Sequence, residues 1–407
     1  MSLSGKSFGG ALKQALMAYV FNIFGIAAGT IIAYSTGLFE EAPWAVVIYP
    51  PILSARGVIG GLFCGRLSTA LHLGTIQARF FGNTRTFYIL FHAIVVMTLE
   101  ASLLMGLVAI LFRGIYEGIS APLFLDMLCL VVATMALALI IITPLTLTVS
   151  FISFKRGLDP DIILYPIEST IADLLITTVY ISLLSFLLAE NLIARPLIIT
   201  LSLLSVLIAT YLFTKNKHET EFIKTLKESL LTIVIVSFII NIAGATLGKV
   251  DEIIRQREEV YRTYPIYVVY PALIDTIGDV GSVVGSTATT KLALGTLKPS
   301  FASIKQHLTE VTSAWAASLI MFFIYSFLAL IIRGILTPLN IIKFTALLLT
   351  ANIIAAIFII SIAYSTAIVT YKRGLDPDNF DIPLESSSAD SITTLSLLVA
   401  LLLWTTT

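Results

Sequence analysis

Six carboxylates lie inside apolar stretches where a chain rarely places charge. Glu168 and Asp173 sit in "YPIESTIADLL", Glu385 and Asp390 in "IPLESSSADSI", and Asp275 and Asp279 in "YPALIDTIGDVGSVVG". A charged side chain at the centre of a bilayer costs about 2.5–3.5 kcal/mol even on the most lenient scale, so its default reading is functional. Glu168/Asp173 and Glu385/Asp390 are each five residues apart, an offset of about 140° on a helix, so each pair spans two faces or two depths. Asp275 and Asp279 are four apart and share one helical face. Serines and threonines between the carboxylates add oxygen donors. Hard oxygen ligands without His or Cys suit Mg2+, which keeps most of its waters and needs only one or two carboxylates. They also suit Ca2+, Mn2+ or Na+. The bland alternatives are that Glu168 and Glu385 snorkel at an interface, and that the glycines around Asp275 and Asp279 make a helix-packing face.

Those residues must be held by membrane helices. The chain of 407 residues is 57% hydrophobic and 12% charged, against about 25% charged for soluble domains. Apolar runs long enough to cross the hydrocarbon recur throughout. The pattern predicts eleven helices, near residues 11–35, 44–72, 86–113, 120–151, 163–189, 193–213, 229–248, 264–293, 306–333, 338–371 and 381–404. The N-terminal run lacks a small-residue cleavage site, so no removed signal peptide is expected. Cys64 and Cys129 read as membrane thiols rather than a disulfide. A net charge of zero gives no nucleic-acid footprint. No nucleophile–base pairing, phosphate loop or metal-ligand His pattern is present, so the chain reads as no enzyme, with no catalytic residues and no cofactor.

The first five and last five helices match. "KRGLDPD" occurs at Lys155–Asp161 and again at Lys372–Asp378, each time ahead of a carboxylate-bearing run. "NIFGIAAG" at Asn22 answers "NIAGATLG" at Asn241. Without a gap, Tyr49, Pro50, Gly57, Gly60, Thr69 and Gly74 answer Tyr270, Pro271, Gly278, Gly281, Thr290 and Gly295. The expected division is residues 1–192 for the first five-helix repeat, 193–227 for a linking transmembrane helix and loop, and 228–407 for the second repeat. Five helices are an odd number, so the extra crossing restores the same orientation and makes the repeats parallel, about an axis along the membrane normal. The fold class is therefore an all-α polytopic membrane protein.

Sixteen lysines and arginines fall on the side of the N-terminus, eight on the other, and Arg56 alone lies mid-membrane. The positive-inside rule then predicts a cytoplasmic N-terminus and an outer C-terminus in the cell membrane. Both KRGLDPD copies become cytoplasmic turns in which Gly ends one helix and Asp-Pro delays the next.

The repeats differ where chemistry is expected. Asp275 answers Ser54, Asp279 answers Val58, and Arg56 answers Ile277. Arg56 either fills a cation's place in the first half or salt-bridges a carboxylate. The expectation is one main site weighted toward the second half and lined also by Asp173. Gly278, Gly281 and Gly285 are expected to open the helix and turn carbonyls toward a cavity. Glu100 either lines a pathway or pairs with Arg56. His307 and Glu310 are expected at a solvated helix end, and Asn22 and Asn241 in packing or ion contact.

The repeat, with "PALIDTIGDVGSVVGSTATTKLALG", "PPILSARGVIGGLFCGRLSTALHLG" and the twice-written "GLDPD", resembles the membrane domain of the MgtE magnesium transporters. The tandem form is similar to their eukaryotic solute-carrier relatives. The resemblance implies Mg2+ transport, through a central pathway between two five-helix domains, with one aspartate early in each fifth helix at the ion site. Those positions are Asp173 and Asp390, seven residues beyond Pro166 and Pro383. It implies a single pseudo-dimeric chain whose partners are Mg2+ or other divalent cations, Na+ and the lipid bilayer, with no nucleic acid. Two departures stand out: the family's Gly-Gly-Asn run is replaced by "GVIGG" and "GDVGS", and no N-terminal cytosolic regulatory module is expected. A Na+-coupled Mg2+ exchanger, or a cation-coupled transporter of another small solute, are the alternatives.

Overall fold

The structure, a computed structural model, describes residues 7–156, 160–189, 192–256, 264–373 and 381–405; within them the side chains of residues 160–170 and 381–386 are among those not described. Helix accounts for 88% of it, with no strand among the described residues. Eleven helical stretches are long and apolar enough to cross a membrane.

Helix α1 (Phe8–Tyr19) is followed by a 3-10 segment (Val20–Phe24) and by α2 (Gly25–Tyr34) and α3 (Thr36–Glu41). The first repeat continues with α4 (Trp44–His72), α5 (Arg85–Glu117), α6 (Ala121–Lys155) and α7 (Pro160–Leu188). The linking span is α8 (Ala194–Asn216). The second repeat comprises α9 (Thr220–Gln256), α10 (Ile266–Ala293), α11 (Leu308–Ile332), α12 (Pro338–Lys372) and α13 (Asp381–Thr405).

Local signals recur in register. Ser120 caps α6 and Thr337 caps α12, each side-chain oxygen accepting a backbone N–H, with proline in the first turn of both helices. The second helix of each repeat ends on a glycine in the left-handed region, Gly74 at φ 70° and Gly295 at φ 68°. Thr75 N–H then returns to the Ala70 carbonyl at 3.0 Å and Thr296 N–H to that of Lys291 at 2.9 Å. Lys155 and Arg156 close α6 as Lys372 and Arg373 close α12. The rest of the first KRGLDPD copy up to Asp159, and of the second up to Asp378, lies outside the described residues.

The chain divides into two compact units that cut across the sequence repeats. One comprises Met1–Ala33 with Thr246–Thr407, and the other Tyr34–Ala245. The first span of each repeat thus packs on the second span of the other. Gly25 lies so close to α10 that an added Cβ meets the Ala272 nitrogen at 2.9 Å, and a Cβ on Gly29 collides with the Val268 carbonyl. In the other unit a Cβ on Gly244 collides with the Val47 carbonyl. Gly25 and Gly244 occupy the same place in "NIFG" and "NIAG", so one small-residue contact is built twice.

Two expectations about helix continuity need correction. The stretch from Ile266 to Ala293 is an unbroken helix despite Pro271 and its glycines. Each mid-helix glycine costs about 1 kcal/mol of propensity, but here the missing side chains admit neighbours. A Cβ on Gly278 meets that of Ala389 at 3.7 Å, and one on Gly281 meets Ile359 at 2.9 Å. The break falls instead in the first span, where the 3-10 turns of Val20–Phe24 carry Asn22. Helix α9 also runs on to Gln256, beyond its expected end, its last turns braced by Lys249–Glu252 at 2.8 Å and Arg255–Asp251 at 2.6 Å.

Span α8 packs on α6 within the second-named unit: Ser202 donates to the Cys129 carbonyl at 2.8 Å, and Arg195 pairs with Asp126 at 2.5 Å. Its other face is exposed leucine and isoleucine, suited to lipid. Cys64 and Cys129 are both buried.

Candidate cation site

Asp173 and Asp390 are each buried on the fifth helix of their repeat, 1% and 8% exposed. Both are positioned by the same device one turn further on. Thr177 Oγ1 lies 3.0 Å from the Tyr49 hydroxyl, and Thr394 Oγ1 lies 2.9 Å from that of Tyr270. Each tyrosine opens the Tyr-Pro of its repeat's second span, and each threonine follows its aspartate by four residues. The second span is thereby clipped to the aspartate-bearing helix. Thr394 also donates to the Asp390 carbonyl at 2.6 Å, and Tyr180 anchors α7 to α4 by donating to the Ala45 carbonyl at 2.6 Å.

The two aspartates then diverge. Arg56 on α4 is itself buried and forms an ion pair with Asp173. Beside that pair is a cavity of about 40 Å³ lined by Arg56, Thr98, Thr143 and apolar side chains of α4–α7, room for little more than a water. In the second repeat Ile277 stands where Arg56 does, and Asp390 has serines around it, with Ser387, Ser388 and Ser391 all buried. Glu100 does not share the guanidinium: its Oε2 is buried without a hydrogen-bond partner among the described residues.

Asp279 is held by the exchanged first span. Asn22 donates its two amide hydrogens to Asp279 Oδ2 at 2.7 Å and to Thr276 Oγ1 at 3.2 Å. A carboxylate can only accept, so the amide nitrogen, not its oxygen, must face it. The Thr276 hydroxyl lies 2.8 Å from that of Tyr325. Tyr19 of the same unit is fully buried, its hydroxyl without a hydrogen-bond partner among the described residues. Asp275 is half-buried on the same helix. The matching amide, Asn241, has Val58 where Asn22 has Asp279. It donates instead to the Ser237 and Met105 carbonyls at 2.7 and 3.3 Å.

Asp275, Asp279 and Asp390 therefore lie in one compact unit and Asp173 in the other. Contact between Gly278 and Ala389 joins the helices that carry Asp279 and Asp390. Glu168 and Glu385 fall on α7 and α13, but their side chains lie outside the described residues. Among the described residues no group of three or more His, Cys, Asp or Glu side chains converges as a ready metal cage. An ion here would keep much of its water, as Mg2+ does. Sequence reasoning missed Tyr49, Tyr270, Thr177, Thr394 and Tyr325. Four of these carried a usable signal, the identical Tyr-Pro and Asp-x-x-x-Thr spacing in both repeats.

Eleven apolar spans with carboxylates buried within them define a polytopic integral membrane protein whose spans hold ionisable groups. The chain matches the MgtE divalent cation transporter family over residues 49–183 and 270–400. It belongs to that family, in a form with two copies of the domain. No curated protein and no solved structure matches it.

Proposed function

We propose that this chain moves Mg2+ across the membrane along a pathway lined by intramembrane carboxylates, with its main ion site in the second repeat at Asp390, Asp275 and Asp279. Divalent cation transport is the activity of the family; oxygen-only ligands, with water completing the shell, favour Mg2+ among divalent ions. The observation that carries the reading is the asymmetry at the fifth helices. Arg56 supplies Asp173 with a permanent protein cation, while the matching position beside Asp390 is an isoleucine. A guanidinium, always charged, cannot be displaced by a passing ion without being left as an unpaired buried charge. One fifth-helix aspartate is thus paired with a protein guanidinium, and its counterpart in the second repeat has an isoleucine in place of that guanidinium.

Glu168 and Glu385, one and a half turns earlier on their helices, are proposed to attract cations at the cytoplasmic mouth. This follows from the orientation that the basic residues favour, with the N-terminus inside. Mg2+ flux into proteoliposomes, compared between wild type and Asp390→Asn, tests the proposal. Retained flux in the variant at equal protein density removes Asp390 from the ion path.

A further inference from the structure

A buried histidine–glutamate contact lies near the end of α10, away from the carboxylates above. The 3-10 turn Phe301–Gln306 leads into His307, the residue before α11, and the imidazole is completely buried rather than solvated as its loop position suggests. Its Nε2 lies 3.2 Å from the Val284 carbonyl and 3.1 Å from Thr287 Oγ1. A carbonyl only accepts, so Nε2 carries the hydrogen and the neutral ring leaves a lone pair on Nδ1. That lone pair faces Glu310 Oε2 at 3.5 Å. Both atoms are buried, and neither has a hydrogen-bond partner among the described residues.

Two acceptors facing each other in a buried place call for a cation between them. The remaining charges are accounted for. Lys291 Nζ takes the other carboxylate oxygen, Oε1, at 2.8 Å. Tyr364 of α12 stacks on the imidazole with ring centroids 5.8 Å apart, and its hydroxyl is fixed 2.8 Å from Ser303 Oγ. Lys305 is exposed. Burial, then the charge of Lys291, pushes the imidazole pKa below its ordinary value, against the opposing charge of Glu310 and the hydrogen bond to Val284. Donor atoms 3.5 Å apart subtend roughly 113–122° at an ion bound at about 2.0–2.1 Å, the distance for Zn2+ to imidazole and carboxylate, an angle wider than tetrahedral but within reach of a four-coordinate ion. Imidazole nitrogen prefers zinc-like first-row ions to Mg2+.

We propose that His307 Nδ1 and Glu310 Oε2 form a two-ligand site for a Zn2+-class ion, completed by water and distinct from the transport carboxylates. The bound ion ties the end of α10, through the ring held at Val284 and Thr287, to the start of α11. Because α10 carries Asp275 and Asp279, occupancy restrains the helix on which the cargo site is built and slows flux.

Co2+ reports such a site by its visible absorption, which is strong in tetrahedral nitrogen–oxygen coordination and weak in an octahedral oxygen shell. The titration is made on detergent-purified full-length protein with excess Mg2+ present to occupy oxygen-only sites, followed by back-titration with Zn2+. The expected result is one saturable equivalent of Co2+ with intense bands, bleached by Zn2+. Glu310→Gln and His307→Gln should each weaken binding by more than the roughly 10–100-fold lost when only a ligand's supporting partner is removed. Thermal unfolding monitors the fold of both variants, and the isosteric Glu310→Gln decides the matter should His307→Gln not fold. Absence of saturable Co2+ binding in the wild type, or equal binding in Glu310→Gln, overturns the proposal.

Discussion

Arg56 and Asp173 form a buried ion pair on the second and fifth spans of the first repeat, whereas the same two positions of the second repeat hold Ile277 and Asp390. A duplicated domain has therefore placed its own cation beside one of its two corresponding aspartates.

Breaking that pair from one side should be severe. Arg56→Ile leaves a buried carboxylate uncompensated and is expected to destabilise the protein by about 3–5 kcal/mol. Arg56→Ile with Asp173→Asn removes both charges and should recover most of that loss. Thermal unfolding of the two variants in detergent checks this; equal loss in single and double variants would show that the ion pair has no coupling energy.

Flux should track the two aspartates unequally. Asp390→Asn is expected to lower Mg2+ flux by about tenfold or more, equivalent to at least about 1.4 kcal/mol. The charge-neutral pair Arg56→Ile with Asp173→Asn should retain most of it. Proteoliposome flux normalised to reconstituted protein makes the comparison, and matching losses would argue for two equivalent sites.

The two asparagines should also differ. Asn22→Leu removes the donor to Asp279, a hydrogen bond to a charged group at 2.7 Å, and should cost about 1.5–3 kcal/mol. It should also shift the Mg2+ dependence of transport. Asn241→Leu loses only bonds to backbone carbonyls and removes a buried oxygen that has no partner among the described residues, so its penalty should be smaller and the Mg2+ dependence unaltered. Equal shifts in Mg2+ dependence would count against Asp279 as an ion ligand.

Glycine substitutions should separate packing from conformational freedom. A Cβ at Gly29 or Gly244 meets backbone carbonyls that cannot give way, so alanine there should destabilise by about 1–3 kcal/mol. At Gly278 the added Cβ finds Ala389 at 3.7 Å, an ordinary contact, and alanine should be tolerated. Unfolding temperatures of the three variants test the order.

Much of this was legible in the residues because span length and in-register repetition are local properties. The eleven spans, the duplicated Tyr-Pro and Gly signals, and the Arg56 substitution could all be read from the string. The 3-10 break at Asn22 could not, since "VFNIF" contains neither Gly nor Pro; Asn22 instead reaches residues more than 250 positions away. The glycines of α10 misled for the complementary reason. Their low helix propensity is a local signal, but close contact with Ala389 and Ile359 overrides it. The exchange of first spans between repeats and the burial of His307 are likewise long-range outcomes. Spacing within one repeat carries no trace of which copy a helix will pack against.

The most direct test is Mg2+ entry into sodium-free proteoliposomes, followed with an internal Mg2+ indicator under an imposed membrane potential, for wild type and Asp390→Asn side by side. Potential-driven entry in the wild type that falls about tenfold or more in Asp390→Asn is the predicted result. Wild-type entry that persists undiminished in the variant would contradict a main ion site in the second repeat.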